Sequence, residues 1–104
     1  MIVVDASVVA QALTEQSDTG RRARRAIADG MDLHAPHLLD LEVANFLRRR
    51  TTVGRLSFEE AKRALEDLLL LPVRRYPHGP LLRRIWELKE NVTSYDASYL
   101  ALAE

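Results

Sequence analysis

The chain has 104 residues, of which 47% are hydrophobic, and its 15 basic and 15 acidic residues balance to a formal net charge of zero. This length suits one compact domain with a single core, and the absence of cysteine excludes a disulfide framework and thiolate metal sites. The purely apolar runs are short, such as the four leucines at 68–71, and stay far below the roughly 20 residues that cross a bilayer, so we expect no membrane span.

The first ten residues, MIVVDASVVA, predict a short buried strand over residues 2–5 that leads into a helix over residues 7–13. A continuous β-branched run is typical of a strand covered on both faces. An acid stands where a signal peptide would carry basic residues, so we expect a cytoplasmic protein. Asp5 falls at the carboxyl end of the strand, where parallel α/β sheets bind ligands, but Asp5 or Ser7 could equally serve as a helix cap.

The rest of the chain alternates between helices and short strands. We expect strands near residues 32–35 and 73–76, and helices over residues 19–29 (ended by Gly30), 36–52, 57–70, 80–90 and from about 93 onward. Pro36 suits the first turn of its helix, and Ser57 with Glu60 forms a capping-box pattern. This order predicts an α/β fold with a parallel sheet flanked by helices.

Glu42 and Asp96 interrupt apolar helix faces in HLLDLEVANFLRRR and TSYDASYLALAE. The neighbours of Glu42 at i−4, i−3 and i+4 are leucine or phenylalanine, and burying an unpaired carboxylate costs several kcal/mol. Glu42 therefore needs an arginine, a hydrogen-bond donor or a metal, and Asn45 is a candidate polar companion. A buried salt bridge remains the alternative for Glu42, and a capping box with Thr93 remains the alternative for Asp96.

Asp5, Glu42 and Asp96 each lie at a strand end or on a helix expected to pack against the sheet. Clustered carboxylates repel one another unless a cation lies between them. Mg²⁺ or Mn²⁺ prefers oxygen ligands and keeps several waters, so the three acids could form an open site for phosphodiester hydrolysis. Ser7 and Asn45 would then provide hydrogen-bonding support.

Other chemistries fit the sequence less well. His34 and His37 flank Pro36 and have no evident third ligand, so we expect surface or capping roles for both. The chain has no glycine loop that would cradle phosphates and no nucleophile elbow. A phosphatase with an aspartyl nucleophile would need a second acid where Ser7 stands.

The positive charge is almost entirely arginine and is clustered at 21–25, 48–50, 74–75 and 83–84. Guanidinium groups bind phosphate and carboxylate in a two-pronged geometry, so the clusters suit a nucleic acid or an acidic protein. A solvated helix face is an equally good interpretation of any single cluster.

The segments IVVDASV, HLLDLEVANFL and TSYDASYLALAE, in this order, resemble PIN-domain ribonucleases, most closely bacterial VapC toxins, over essentially the whole chain. The resemblance implies a three-layer α/β sandwich formed by residues 1–104 as a single domain. It also implies a Mg²⁺- or Mn²⁺-dependent endoribonuclease that acts on tRNA or other structured RNA, forms a homodimer and is neutralised by a VapB-type antitoxin.

Matched position by position, the resemblance assigns catalysis and metal binding to Asp5, Glu42 and Asp96, and supporting roles to Ser7 and Asn45. Thr93, three residues before Asp96, is a further candidate for a supporting role. The charge of the arginine cluster at 48–50, namely Arg48, Arg49 and Arg50, makes it a candidate for contact with RNA or antitoxin. The family normally continues into another strand and a fourth acid, so we expect residues 1–104 to lack both. The alternative function is therefore a non-catalytic module that dimerises, through the helix at 58–71 or the Trp86 helix, and binds antitoxin.

Overall fold

Short strands and helices alternate along the chain. A computed structural model describes residues 1–29 and 32–104, apart from the Thr19 side chain. The elements are β1 (Ile2–Val3), α1 (Ala6–Thr14), α2 (Asp18–Asp29), β2 (Leu33–Pro36), α3 (Leu38–Thr52), α4 (Phe58–Leu70), β3 (Val73–Tyr76), a 3₁₀ turn (Gly79–Leu81), α5 (Leu82–Glu87) and α6 (Ser94–Ala103). The strands are parallel in the order β1-β2-β3. The predicted α/β fold with a parallel sheet flanked by helices is confirmed.

Several predicted boundaries move. β1 ends at Val3 and not at Asp5, because Asp5 is the N-cap of α1. The backbone N–H of Val4 donates the last hydrogen bond from this segment to β2, at the His34 carbonyl. The region predicted as a helix over residues 80–90 contains a 3₁₀ turn, and α5 ends at Glu87. The predicted stop at Gly30 lies outside the described residues.

The sequence predicted that Pro36 opens a helix, and this prediction is wrong. Pro36 is the last residue of β2. It pairs with Tyr76 of β3, and the next backbone N–H, that of His37, donates to the Tyr76 carbonyl at 2.8 Å. The helix that follows is capped from another part of the chain, because His78 Nε2 accepts the N–H of Leu38 at 3.0 Å. His37 precedes α3 but makes no capping bond with its side chain.

The main core lies between the sheet and α1, α3 and α4. Leu33 and Ala35 of β2 face this core, together with buried side chains from the three helices that include Val9, Leu39, Val43, Leu47 and Leu68. A second cluster joins α5 to α6 through Ile85, Ala97 and Ala101. α6 also contacts β1 and β2.

The prediction that His34 has a surface or capping role is wrong. Side chains alternate across a strand, so His34 points away from the face that carries Leu33 and Ala35, and it is 6% exposed. Its Nε2 lies 2.7 Å from an Asp32 carboxylate oxygen, and its Nδ1 is hydrogen-bonded to the Tyr76 hydroxyl. Both ring nitrogens are therefore satisfied within the fold.

Arg75 fastens β3 to the neighbouring helices. Its Nε donates to both carboxylate oxygens of Asp40 on α3, at 3.0 and 2.9 Å. Its terminal nitrogens donate to the carbonyls of Val73 and Leu68. Within the described part of the chain, no helix is long and apolar enough to cross a bilayer.

Candidate active site

Three acids line one open pocket beside the carboxyl end of β1. Asp5, Glu42 and Asp96 share its wall with Ser7 and Tyr99, and its volume is 390 Å³. The acids come from three separate places in the sequence: the residue before α1, the second turn of α3 and the first turn of α6. The parallel sheet brings these places together because β1 and β2 end at the same edge.

Asp5 caps a helix and also borders this pocket. Its Oδ1 accepts the backbone N–H of Val8 at 3.0 Å and the Ser7 hydroxyl at 2.9 Å, so it caps α1 while Ser7 holds its orientation. Oδ2 makes no hydrogen bond to any described residue, and the side chain borders the pocket. The two interpretations of Asp5, a cap and a site residue, are therefore compatible.

Glu42 is half-buried and is held by a tyrosine. The Tyr99 hydroxyl donates to Glu42 Oε1 at 2.5 Å. Burial, reinforced by this hydrogen bond and by the nearby charge of Glu42, raises the pKa of Tyr99 above its ordinary value, so the phenol stays protonated and acts as a donor. The predicted alternative for Glu42, a buried salt bridge, is absent from the described residues.

Asp96 lies in the first turn of α6 next to its cap. The Thr93 side chain accepts the backbone N–H of Asp96 at 3.2 Å, so Thr93 is the N-cap of α6. Thr93 itself is not among the residues that line the pocket. The reciprocal bond of a capping box, from the Asp96 carboxylate to the cap backbone, is not formed, which leaves the carboxylate to face the pocket.

Asn45 and the arginines lie outside the acid pocket. Asn45 is exposed one turn beyond Glu42 and lines a neighbouring groove with Arg48. Arg49 is exposed, whereas the guanidinium of Arg50 stacks on Phe46, with 4.8 Å between Cζ and the ring centroid. The cluster at 48–50 is therefore not one uniform cationic surface.

The sequence of the chain matches a known protein family over almost its whole length. The family model of the PIN domain matches residues 2–104. The chain belongs to the PIN-domain family. The resemblance read from the three acidic segments is confirmed.

Relatives of this PIN domain carry names that state an activity. Ribonuclease VapC9 of Mycobacterium tuberculosis is 47% identical over 104 residues, which are 100% of this chain and 78% of that protein. Ribonuclease VapC1 of the same organism is 43% identical over 102 residues, or 97% of this chain and 76% of that protein. Ribonuclease VapC3 of Pyrobaculum aerophilum is 36% identical over 107 residues, or 99% of this chain and 81% of that protein.

The acid pocket of this PIN domain concentrates negative charge without neutralising it. In residues 1–29 and 32–104, none of the three acids forms an ion pair, and no three acids or histidines approach closely enough to make a ready-made metal cage. Oxygen donors around an open space suit a hard cation that keeps part of its water shell. The donor set therefore fits Mg²⁺ or Mn²⁺ better than a softer metal.

A larger pocket of this PIN domain, with a volume of 800 Å³, lies elsewhere, between α1, α2 and α4. Its walls include Leu13, Ile27 and Leu71. Arg24 at its border is already used, because it donates to the backbone carbonyls of Ala12 and Glu15. The larger pocket is not the candidate active site, because it lacks the three acids that line the smaller pocket.

Tyr99 is the site residue that sequence reasoning missed. It lies three residues after Asp96 on α6, so both side chains project on the same helix face. That spacing was a usable signal once Asp96 was a candidate. The identity of its partner, Glu42, was not readable from the sequence.

Proposed function

We propose that the chain is a divalent-metal-dependent endoribonuclease that hydrolyses phosphodiester bonds through Asp5, Glu42 and Asp96. The observation that carries this proposal is the set of three un-neutralised carboxylates around one open pocket of a PIN domain. The relatives named ribonucleases, VapC9 and VapC1 among them, support the reaction class. The substrate is tRNA or another structured RNA in the cytoplasm.

The three acids are the residues that would hold Mg²⁺ or Mn²⁺. One or two of these carboxylates would bind such an ion directly and water would complete its shell, in line with the absence of a close three-acid cage in the described residues. When bound, the ion supplies a Lewis acid that lowers the pKa of water and neutralises charge on the phosphate. Ser7 orients Asp5, and Tyr99 orients Glu42, through the hydrogen bonds that they donate.

The proposed partners are a VapB-type antitoxin, which would inhibit cleavage, and a second copy of the chain. Exposed apolar side chains on α4 and α5 are the candidates for the dimer contact: Phe58, Leu69 and Leu70 on α4, and Leu82 and Trp86 on α5. Leu69→Glu and Trp86→Glu test the two faces by size-exclusion chromatography. The face whose variant runs as a folded monomer is the interface, and two unchanged dimers would exclude both faces.

The direct test is cleavage of a tRNA mixture by the chain with Mn²⁺, beside an EDTA control and Asp5→Asn. Asparagine caps helices as well as aspartate does, so this variant keeps α1 and removes only a charge from the site. Loss of several kcal/mol of transition-state stabilisation predicts a rate at least about 100-fold lower. Cleavage that persists in EDTA, or equal rates for the two proteins, would contradict the proposal.

The alternative, a non-catalytic module that dimerises and binds antitoxin, predicts a different pattern. A folded chain would then cleave no RNA with either metal, and antitoxin binding would survive Asp5→Asn without any dependence on metal. The resemblance implies a fourth acid in a further strand, and three acids line the pocket. Activity of residues 1–104 would therefore show that three acids are sufficient.

A further inference from the structure

A second open groove begins at the edge of the acid pocket. It runs along α3 and the first turn of α6, has a volume of 690 Å³ and is lined by residues that include Leu41, Glu42, Asn45, Arg48 and Tyr95. We call it the Tyr95 groove. Glu42 borders both the groove and the acid pocket, and Tyr95 directly precedes Asp96. A chain molecule that leaves the acid pocket past Glu42 therefore enters the Tyr95 groove.

The α3 side of the groove is lined at helical spacing by one apolar and two polar side chains. Leu41, Asn45 and Arg48 are four and then three residues apart, which places them on one face of the helix. Arg48 makes no ion pair with any described residue, whereas Arg50 is stacked on Phe46. A rise of about 1.5 Å per residue puts Arg48 about 9 Å along the helix from Glu42. The guanidinium of Arg48, which has no acidic partner among the described residues, thus lies less than two helical turns from Glu42.

The α6 side of the groove carries an exposed aromatic ring. Tyr95 is 64% exposed, while Tyr99, one turn later, is half-buried and bonded to Glu42. An aromatic face, a guanidinium and an amide are the groups that bind single-stranded nucleic acid. The ring stacks on a base, the cation pairs with a phosphate, and the amide bonds a base edge.

We propose that the Tyr95 groove binds an unpaired nucleotide of the RNA next to the bond that is cut. The base stacks on Tyr95, Asn45 bonds the base edge and Arg48 pairs with the phosphate. This inference rests on the proposed function, because it places the nucleotide beside the acids that cleave. A paired base is already stacked within its helix, so the groove selects loops and single strands over duplex.

The experiment measures binding of a fluorescent single-stranded RNA ten nucleotides long by anisotropy. All proteins carry Asp5→Asn so that the probe is not consumed. Tyr95→Ala is expected to weaken binding about tenfold, whereas Tyr95→Phe stays within about twofold because the ring remains. Val53→Ala, which shortens an exposed apolar side chain just after α3 and outside the groove, is the control and should stay within about twofold.

Two further readouts complete the test. Arg48→Ser should reduce the slope of log affinity against log salt concentration by about 0.7, the value expected for one phosphate contact with a single strand. A fully paired RNA duplex should bind equally to the proteins with and without Tyr95→Ala.

Equal single-strand affinities with and without Tyr95→Ala would overturn the inference. So would a change in oligomeric size caused by Tyr95→Ala, which would instead make this face a contact between copies of the chain. Cleavage by the wild-type chain is measured separately. Cleavage together with unchanged Tyr95→Ala affinity rejects only the groove, whereas neither cleavage nor RNA binding rejects the proposed function and the groove with it.

Discussion

Two acids of α3, Asp40 and Glu42, stand two residues apart but have opposite surroundings. Both carboxylate oxygens of Asp40 accept hydrogen bonds from Arg75, and this ion pair links α3 to β3. Glu42 has no basic partner among the described residues and accepts one bond from Tyr99. The difference teaches that proximity to the sheet does not make an acid functional. An acid that has no counter-charge and shares a pocket with two other acids is the better candidate for a metal ligand.

The most sensitive test of this comparison exchanges each acid for its amide. Glu42→Gln should lower the rate of RNA cleavage at least about 100-fold, because it removes a charge from the proposed metal site. Asp40→Asn should leave the rate of the folded protein within about twofold and lower the free energy of unfolding by about 1 kcal/mol. Cleavage assays and urea unfolding curves measure the two effects. A rate loss in Asp40→Asn equal to that in Glu42→Gln would break the comparison.

Removal of the basic partner tests the structural side alone. Arg75→Met should lower the free energy of unfolding by about 2 kcal/mol, since it loses the ion pair and the bonds to two backbone carbonyls. The figure is modest because the Asp40 side chain is 37% exposed, and water screens the pair. Urea unfolding gives the value. An unchanged free energy of unfolding would mean that the bonds of Arg75 to Asp40, Val73 and Leu68 do not stabilise the fold.

Removal of the hydroxyl from Tyr99 sharpens the functional side. Tyr99→Phe should weaken Mn²⁺ binding about tenfold, because the donor that orients a ligating carboxylate is lost. Isothermal titration calorimetry measures the affinity, and thermal unfolding checks that the ring still packs. Mn²⁺ affinity equal to that of the wild type would restrict Tyr99 to a packing role.

The smallest expected effects on stability come from the capping box of α4, in which the acid Glu60 accepts a hydrogen bond at the start of its own helix. Ser57 and Glu60 form the capping box of α4, with bonds of 3.1 Å in both directions, so Ser57→Ala should cost about 1 kcal/mol of unfolding free energy. The hydrogen bond from the Ser57 backbone lowers the pKa of Glu60 below its ordinary value of 4.5. A lowered pKa adds stability above pH 4.5, and this stability is lost as the pH falls through the folded-state value.

Glu60→Gln should remove that part of the acid dependence without changing RNA cleavage at neutral pH. Urea unfolding at a series of pH values from 6 downward measures the difference from the wild type. Identical pH profiles for the two proteins would show that the capping carboxylate does not contribute.

Local features of the fold were readable from the sequence. The capping box at Ser57, the cap formed by Asp5 and the order of strands and helices all depend on residues a few positions apart, and the structure contains each of them. The three acids were found because each interrupts an apolar pattern. Their arrangement around one pocket follows from the parallel sheet.

The features that the sequence hid depend on distant partners. His34 and Tyr76 are separated by 42 positions, Asp40 and Arg75 by 35, and Glu42 and Tyr99 by 57. The segment DLHAP contains one partner of the His34 ring, Asp32, but gives no sign of the other, Tyr76, or of the burial of the ring. The arginine pair at 74–75 likewise looks like free surface charge, yet Arg75 is fully engaged inside the fold.

The most direct measurement of the central claim is a Mn²⁺ titration of the RNA-free chain by isothermal titration calorimetry. The wild type and Asp40→Asn should bind the ion with equal affinity, whereas Asp5→Asn and Glu42→Gln should bind it at least about tenfold more weakly. Equal Mn²⁺ affinity in the wild type and Glu42→Gln, or no binding by the folded wild type, would contradict the assignment of the acid pocket as the metal site.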